Sequence, residues 1–200
     1  MFCSLDALIP QLPEKPVGSP VSVSGGCVHE CYRWGDFFIK INQPSYLPCF
    51  EAEAIGLSSI LATQTLRAPE VITWGNTPDI AYLVLEFLEL RRSGNEGQLG
   101  EQLAALHQAD CHSPDYGFLA DNFIGATPQE NVREETWAKF FKEQRLKPMF
   151  ERLASRGVTF PRACRLLERL ADALPSNPPV SLLHGDLWGG NCAFLRDGSP

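Results

Sequence analysis

The apolar pattern changes period several times along the first ninety residues. Between Val21 and Trp34 apolar and polar positions alternate on both sides of Gly25-Gly26, which predicts two strands joined by a glycine turn. Gly35-Asp36 marks a further turn, and Phe37–Ile41 reads as a third strand. From Pro48 to Ala62 the residues Phe50, Ala54, Leu57 and Leu61 recur at helical spacing. Arg67–Gly75 predicts a fourth strand, and Asn76–Asp79 a turn. The nearly continuous apolar run Ile80–Leu88 predicts a fifth, buried strand. Ahead of these elements, Leu5–Leu12 fits a short helix that the Pro-rich run Pro13–Pro20 ends.

Polarity shifts sharply at Arg91-Arg-Ser-Gly-Asn-Glu-Gly97. The domain junction is placed there, with residues 1–89 as one lobe and 90–200 as the other. The second half reads as mainly helical. Leu99, Leu103 and Leu106 mark one helix, Glu134–Leu153 a strong second, and Pro161–Leu174 a third that opens on proline. Tyr116–Asn131 reads as a long irregular loop, a length that in compact domains usually signals function or mobility. Two short apolar runs, Val180–Leu183 and Cys192–Leu195, predict strands on either side of the loop His184-Gly-Asp-Leu-Trp-Gly-Gly-Asn191.

Composition narrows the function classes. With 44% hydrophobic residues, 200 residues can bury a sizeable core in one or two domains. A net charge of −7 argues against non-specific nucleic-acid or anionic-membrane binding, which wants a basic face. No apolar run approaches the ~18 residues of a membrane span. Met1–Pro10 lacks the basic start and apolar core of a signal peptide. Seven scattered cysteines fit reduced thiols in a cytoplasmic protein.

The closing loop carries the sharpest chemistry. Phosphoryl transfer to an alcohol needs the hydroxyl oriented, its proton accepted, and a metal held against the phosphates. A carboxylate and an amide on one loop can divide that work, Asp186 facing the hydroxyl and Asn191 ligating the ion. The H-x-D-x-x-x-x-N spacing equals that of the protein-kinase catalytic loop; taken alone, the stretch is also an ordinary turn. Lys40 sits inside an apolar run, where a lysine needs a partner or a ligand unless its head reaches solvent. Glu51 and Glu53 both lie near the start of the following helix, and spacing does not choose between them. The Gly25-Gly26 turn can lie over phosphates, since without Cβ its N–H groups approach closely. Glu86, Phe87 and Leu88 can offer backbone groups to an adenine edge. Cys27, His29 and Cys31 share one strand face, but a fourth metal ligand is missing. Five strands with a helix after the third, a hinge, helices and then this loop follow the plan of a bilobal kinase.

The more specific marks are Phe38-Ile-Lys-Ile-Asn42, Phe50-Glu-Ala-Glu-Ala54, Asp121-Asn-Phe-Ile-Gly125, Thr127-Pro-Gln129, Phe140-Phe-Lys-Glu-Gln-Arg-Leu146 and His184-Gly-Asp-Leu-Trp-Gly-Gly-Asn191. With these the chain resembles, from about Ser24 to its end, the fructosamine/ketosamine-3-kinase family, relatives of aminoglycoside and choline phosphotransferases. The resemblance implies an α+β, bilobal protein-kinase-like fold. Its N-lobe is a five-stranded antiparallel sheet plus one helix, and its C-lobe, incomplete here, is mainly helical. It implies ATP and Mg²⁺ as cofactors and a ketosamine substrate, free or protein-bound, phosphorylated at the sugar 3-hydroxyl. The unstable 3-phosphate sheds the sugar, which repairs glycation.

Carried over by residue, Lys40 holds the ATP phosphates and pairs with Glu53, while Glu86 and Leu88 meet adenine through their backbone. Asp186 takes the hydroxyl proton and Asn191 helps bind Mg²⁺. His184, Trp188 and Asn131 fall on the substrate side. The resemblance also suggests a redox role for Cys27, so the protein is expected as a monomer or a disulfide-linked homodimer. Two departures stand out. Arg133 replaces a usual tryptophan, and the chain reaches Pro200 before the family's Asp-Pro-Ala metal aspartate. These 200 residues alone are therefore expected to be inactive, with apolar helix faces uncovered. The rival readings are a phosphotransferase for an aminoglycoside or choline-like alcohol, and an inert nucleotide-binding module.

Overall fold

In the computed structural model residues 5–23, 28–111 and 113–200 are described. They form two compact units, one built from residues up to 109 together with 182–200, the other from 110–181.

The first unit is organised by a sheet of five antiparallel strands. These are β1 (Val21–Ser22), β2 (Glu30–Trp34), β3 (Phe37–Asn42), β4 (Val71–Asn76) and β5 (Ala81–Glu86), in the order β1-β2-β3-β5-β4. Strict alternation in β3 sends Phe37, Ile39 and Ile41 to one face and Phe38, Lys40 and Asn42 to the other. The first face packs with Tyr32, Trp34, Tyr82 and Val84 against Leu5, Leu8 and Leu12 of the N-terminal segment. The second is covered by helix α1 (Leu47–Ala62), whose Phe50 and Ala54, one turn apart, pack on Ala81, Leu83 and Leu85. β5 lies between β3 and β4 and is buried on both faces, which accounts for its unbroken apolar run.

β4 starts at Val71 rather than near Arg67. Pro69 has no N–H to offer a ladder, and Arg67–Glu70 is fastened to Glu86 by other bonds described below. Helix α2 (Glu96–Gln108) opens on Asn95, whose Oδ1 accepts the Gln98 N–H. Just before it, Arg91 and Phe194 exchange backbone hydrogen bonds at 2.7 and 2.9 Å, and Asn95 N–H donates to the Gly198 carbonyl at 2.9 Å. A Cβ on Gly94 would lie 2.3 Å from the Phe194 ring, so only glycine admits this contact. The apolar runs around Val180–Leu183 and Cys192–Leu195 do not form the expected strands; the one pairing there among the described residues is the Arg91–Phe194 bridge. Side chains take the carbonyls a ladder would use: Cys111 Sγ donates to Val180 O, and Tyr116 Oη to Pro178 O.

The second unit holds a hairpin where the sequence reads as an irregular loop. β6 (Asn122–Ile124) pairs with β7 (Thr127–Gln129) around Gly125, whose φ of +57° suits a residue without Cβ. The helix expected from Glu134 begins three residues later, as α3 (Trp137–Phe140), with Thr136 Oγ1 accepting the Lys139 N–H. Glu134 instead exchanges backbone bonds with Tyr116 at 2.9 Å. A π-helical turn (Phe141–Leu146) leads into α4 (Lys147–Ser155). The last predicted helix is broken at Arg169 into α5 (Ala163–Glu168) and α6 (Leu170–Ala173). Phe160 and Leu166 remain exposed around a groove of about 560 Å³ that Phe150 also lines.

Because Phe50 is fully buried between α1 and the sheet, Phe50→Ala should lower the unfolding free energy by about 3–5 kcal/mol in urea titrations. Glu51→Ala, on the exposed side of the same helix, should stay within about 0.5 kcal/mol.

Candidate active site

Lys40 lies on the α1 face of β3, opposite Cys31 on β2 and Leu83 on β5. Its Nζ donates to Glu53 Oε1 at 2.6 Å, the two side chains being 18% and 31% exposed. Glu53 precedes the buried Ala54, so the stripe that seats α1 also aims this carboxylate at the sheet. Glu51 points to solvent. An ammonium held at the edge of an apolar layer keeps donors free for an anionic ligand.

His29 sits beside this pair. Its ring packs edge-on to Tyr46 and lies 4.7 Å from Phe50, and its Nδ1 is 3.0 Å from Asn42 Nδ2. Burial, and then the neighbouring Lys40 charge, hold its pKa below the usual 6.5. Burial pushes the Cys31 and Cys49 thiols up, which keeps them protonated and unreactive. Among the described residues no three His, Cys, Asp or Glu side chains converge to hold a metal. Gly25, Gly26 and Cys27 lie outside the described residues.

The loop His184–Asn191 belongs to the same compact unit as Lys40. Gly185 has φ +85°, a conformation that favours glycine. The turn lets Asp186 N–H donate to His184 Nδ1 at 3.3 Å, which leaves Nε2 of that ring as the donor. Asn191 Nδ2 donates both to the Asp186 carbonyl at 2.9 Å and to its carboxylate Oδ2 at 3.0 Å. Asn191 N–H closes the turn on the Trp188 carbonyl at 2.8 Å. Trp188 is 62% exposed, and its ring leans where a Cβ on Gly190 would be 2.4 Å away. The result is an exposed carboxylate restrained by an exposed amide that engages it through Nδ2, and an amide oxygen is a donor suited to a hard cation.

At the hinge, Glu86 N–H donates to the Glu70 carbonyl at 2.9 Å and Phe87 N–H to the Asp36 carbonyl at 2.8 Å. The Leu88 N–H has no backbone partner among the described residues. The Phe87 N–H is therefore committed to Asp36.

Asn131, named with the substrate residues, has a different job in the second unit. It is 4% exposed. Its Nδ2 donates to the Ala120 carbonyl, its Oδ1 accepts from Arg145 Nη2, and its N–H donates to Asp121 Oδ1. With both ends of the amide bonded within the protein, it pins the hairpin segment. Arg133, at the position of the family's tryptophan, donates to Ser113 Oγ at 2.6 Å. Sequence reasoning missed the partners that shape the hinge: Arg67, Asp36 and Arg33. A backbone carbonyl and an ion pair spanning 19 positions leave no local pattern to read.

The chain matches the fructosamine kinase family over residues 4–200. It belongs to that family. It is 41% identical over 186 residues to a probable ketoamine kinase of Synechocystis sp., covering 90% of this chain and 63% of that protein. It is 34% identical over 190 residues to a chloroplastic protein-ribulosamine 3-kinase of Arabidopsis thaliana, covering 90% of this chain and 58% of the relative. It thus spans about three fifths of the length of these relatives. The crystal structure of a candidate fructosamine-3-kinase from Haemophilus somnus superposes with a TM-score of 0.86 at 30% identity, covering 98% of this chain and 70% of that one. An aminoglycoside phosphotransferase shares the fold alone, with a TM-score of 0.54 at 15% identity over 88% of this chain and 62% of its own. The fold is the bilobal, kinase-like one.

The His29 environment sets a pH dependence. Folding favours the neutral imidazole, so the folded pKa lies below the unfolded 6.5. Stability from this site is complete above the unfolded value and is lost as pH falls toward the folded one. Urea titrations at pH 7.5 and 5.5 should show a smaller acid loss for His29→Gln than for the native chain; equal losses would assign the pH dependence to other groups.

Proposed function

We propose that the chain is the nucleotide-binding and proton-accepting part of an ATP-dependent ketosamine kinase, which phosphorylates fructosamine or ribulosamine adducts at the sugar 3-hydroxyl and so initiates deglycation. The observation that carries this reading is the Asp186 carboxylate, exposed and restrained by Asn191, in the same compact unit as the Lys40–Glu53 pair. The names of the relatives supply the substrate class.

Lys40 holds the α/β-phosphates, and Glu53 keeps its ammonium aimed. The Glu86 carbonyl and the Leu88 N–H meet the adenine edge, and the lobe boundary falls just after them. Asp186 receives the 3-hydroxyl proton as the phosphoryl group transfers. The amide of Asn191 keeps the receiving oxygen in place. His184, through Nε2–H, and the exposed indole of Trp188 line the sugar side. Asn191 Oδ1 would be one ligand of Mg²⁺, whose chemistry is to neutralise charge on the phosphates. A reducing, cytoplasmic setting fits Cys31, Cys49, Cys164 and Cys192, whose thiols are free. We take the protein as a monomer, with Cys27 the residue through which an oxidised pair would form.

The test is ³¹P NMR of the full-length protein with ATP and a ribulosamine or fructosamine conjugate. A new phosphomonoester with stoichiometric ADP is expected. Asp186→Asn should lower kcat by about 10²–10⁴-fold. Near-native turnover in that variant would remove Asp186 from the proton-accepting role, and turnover of choline or an aminoglycoside in place of ketosamines would replace the substrate class.

A further inference from the structure

Backbone recognition of adenine makes no use of the Glu86 side chain, yet this carboxylate is fully engaged. Arg67 Nη2 lies 2.5 Å from both Glu86 oxygens. Oε2 also accepts the Glu70 N–H at 3.2 Å, while the Glu86 N–H donates to the Glu70 carbonyl at 2.9 Å. Arg67 Nη1 donates to the Ala68 carbonyl at 2.5 Å. Glu86 thus grips residues 67–70 through main chain and side chain together, along a stretch where Pro69 forbids a ladder. Phe87, next in the chain, is held from the β2–β3 side. Its N–H donates to Asp36, and the Arg33 guanidinium lies 4.1 Å from its ring centroid.

Arg67 and Glu86 are each about one third exposed, 33% and 32%. A pair so exposed adds little to stability. What a planar guanidinium supplies, with Nη2 on the Glu86 carboxylate and Nη1 on the Ala68 carbonyl, is direction: it fixes the plane and the distance of the two groups it joins. We propose that the Arg67–Glu86 clamp is a positioning device for nucleotide recognition. It holds the hinge peptides so that the Glu86 carbonyl and the Leu88 N–H, which has no backbone partner among the described residues, present one adenine-binding edge. The proposal rests on the ATP-site reading above. It makes Arg67 a positioning residue that touches no part of the nucleotide.

The test compares dissociation constants of ATP and inorganic tripolyphosphate, with equal magnesium, by titration calorimetry on the full-length protein and its Arg67→Ala, Arg67→Lys and Glu86→Gln variants. Tripolyphosphate reports the phosphate site without the base. Arg67→Ala should weaken ATP about tenfold, the size of a lost charge-assisted contact, and leave tripolyphosphate unchanged. Arg67→Lys, which keeps the charge without the planar fork, should recover only part of the loss. Glu86→Gln, a near-isosteric change, should behave like Arg67→Ala even if the arginine variant folds poorly. Unchanged ATP affinity in Arg67→Ala and Glu86→Gln would overturn the proposal. So would equal weakening of both ligands, which marks a merely structural pair. If the unaltered protein shows no preference for ATP over tripolyphosphate, the adenine-site reading itself fails and this inference falls with it.

Discussion

A lysine on the inner face of a central strand must find an anion, and that need organises the first unit. Lys40 cannot leave the sheet, because its neighbours Ile39 and Ile41 are locked in the opposite layer. The helix covering its face therefore has to bring a carboxylate to it, and Glu53 does so from the position next to Ala54. The apolar stripe of α1 and the ion pair thus specify the same rotation of the helix about its axis. Turning the helix to expose Glu53 would lift Phe50 out of the core, and seating Phe50 brings Glu53 to the lysine.

The loop around Asp186 works by a different economy. It has almost no buried surface, so hydrogen bonds and backbone dihedrals must hold it. Gly185 supplies a left-handed turn, and Asn191 reaches back across five positions to both the backbone and the carboxylate of Asp186. An exposed carboxylate fixed in this way stays open to solvent. The same amide reaches the backbone and the carboxylate of Asp186 through one nitrogen, so a single residue orders both.

Much of the first unit was legible because its signals are local. Alternation gave β2 and β3, an apolar run gave β5, and the stripe Phe50–Ala54–Leu57 gave α1. The H-x-D-x-x-x-x-N spacing singled out the loop, though taken alone that stretch also reads as an ordinary turn. Spacing left Glu51 and Glu53 open as partners of Lys40; the family resemblance pointed to Glu53, and the packed helix brings Glu53 to the lysine. What escaped is non-local or weakly periodic. The β6–β7 hairpin has three-residue strands with a proline in one of them, too short for a period to show. The π-helical turn and the break at Arg169 interrupt runs whose apolar spacing looks continuous. Val180–Leu183 has strand composition, but side chains take its neighbourhood's carbonyls. Asn131 reads as a loop asparagine open to a ligand until its three partners are seen.

The two units differ in how they are laid along the chain. The second is one uninterrupted segment, 110–181, set inside the first, which resumes at Leu182. A ribosome making this protein therefore finishes the inserted unit before the unit that contains Lys40. Until residues 192–198 emerge, Arg91 lacks its Phe194 partner and Asn95 its Gly198 carbonyl. The sheet with its ion pair can form early, but the Asp186 loop is tied to the stretch before α2 only after residues 194–198 have emerged. The sheet segment and the Asp186 loop, far apart along the chain, are joined only when translation has passed both.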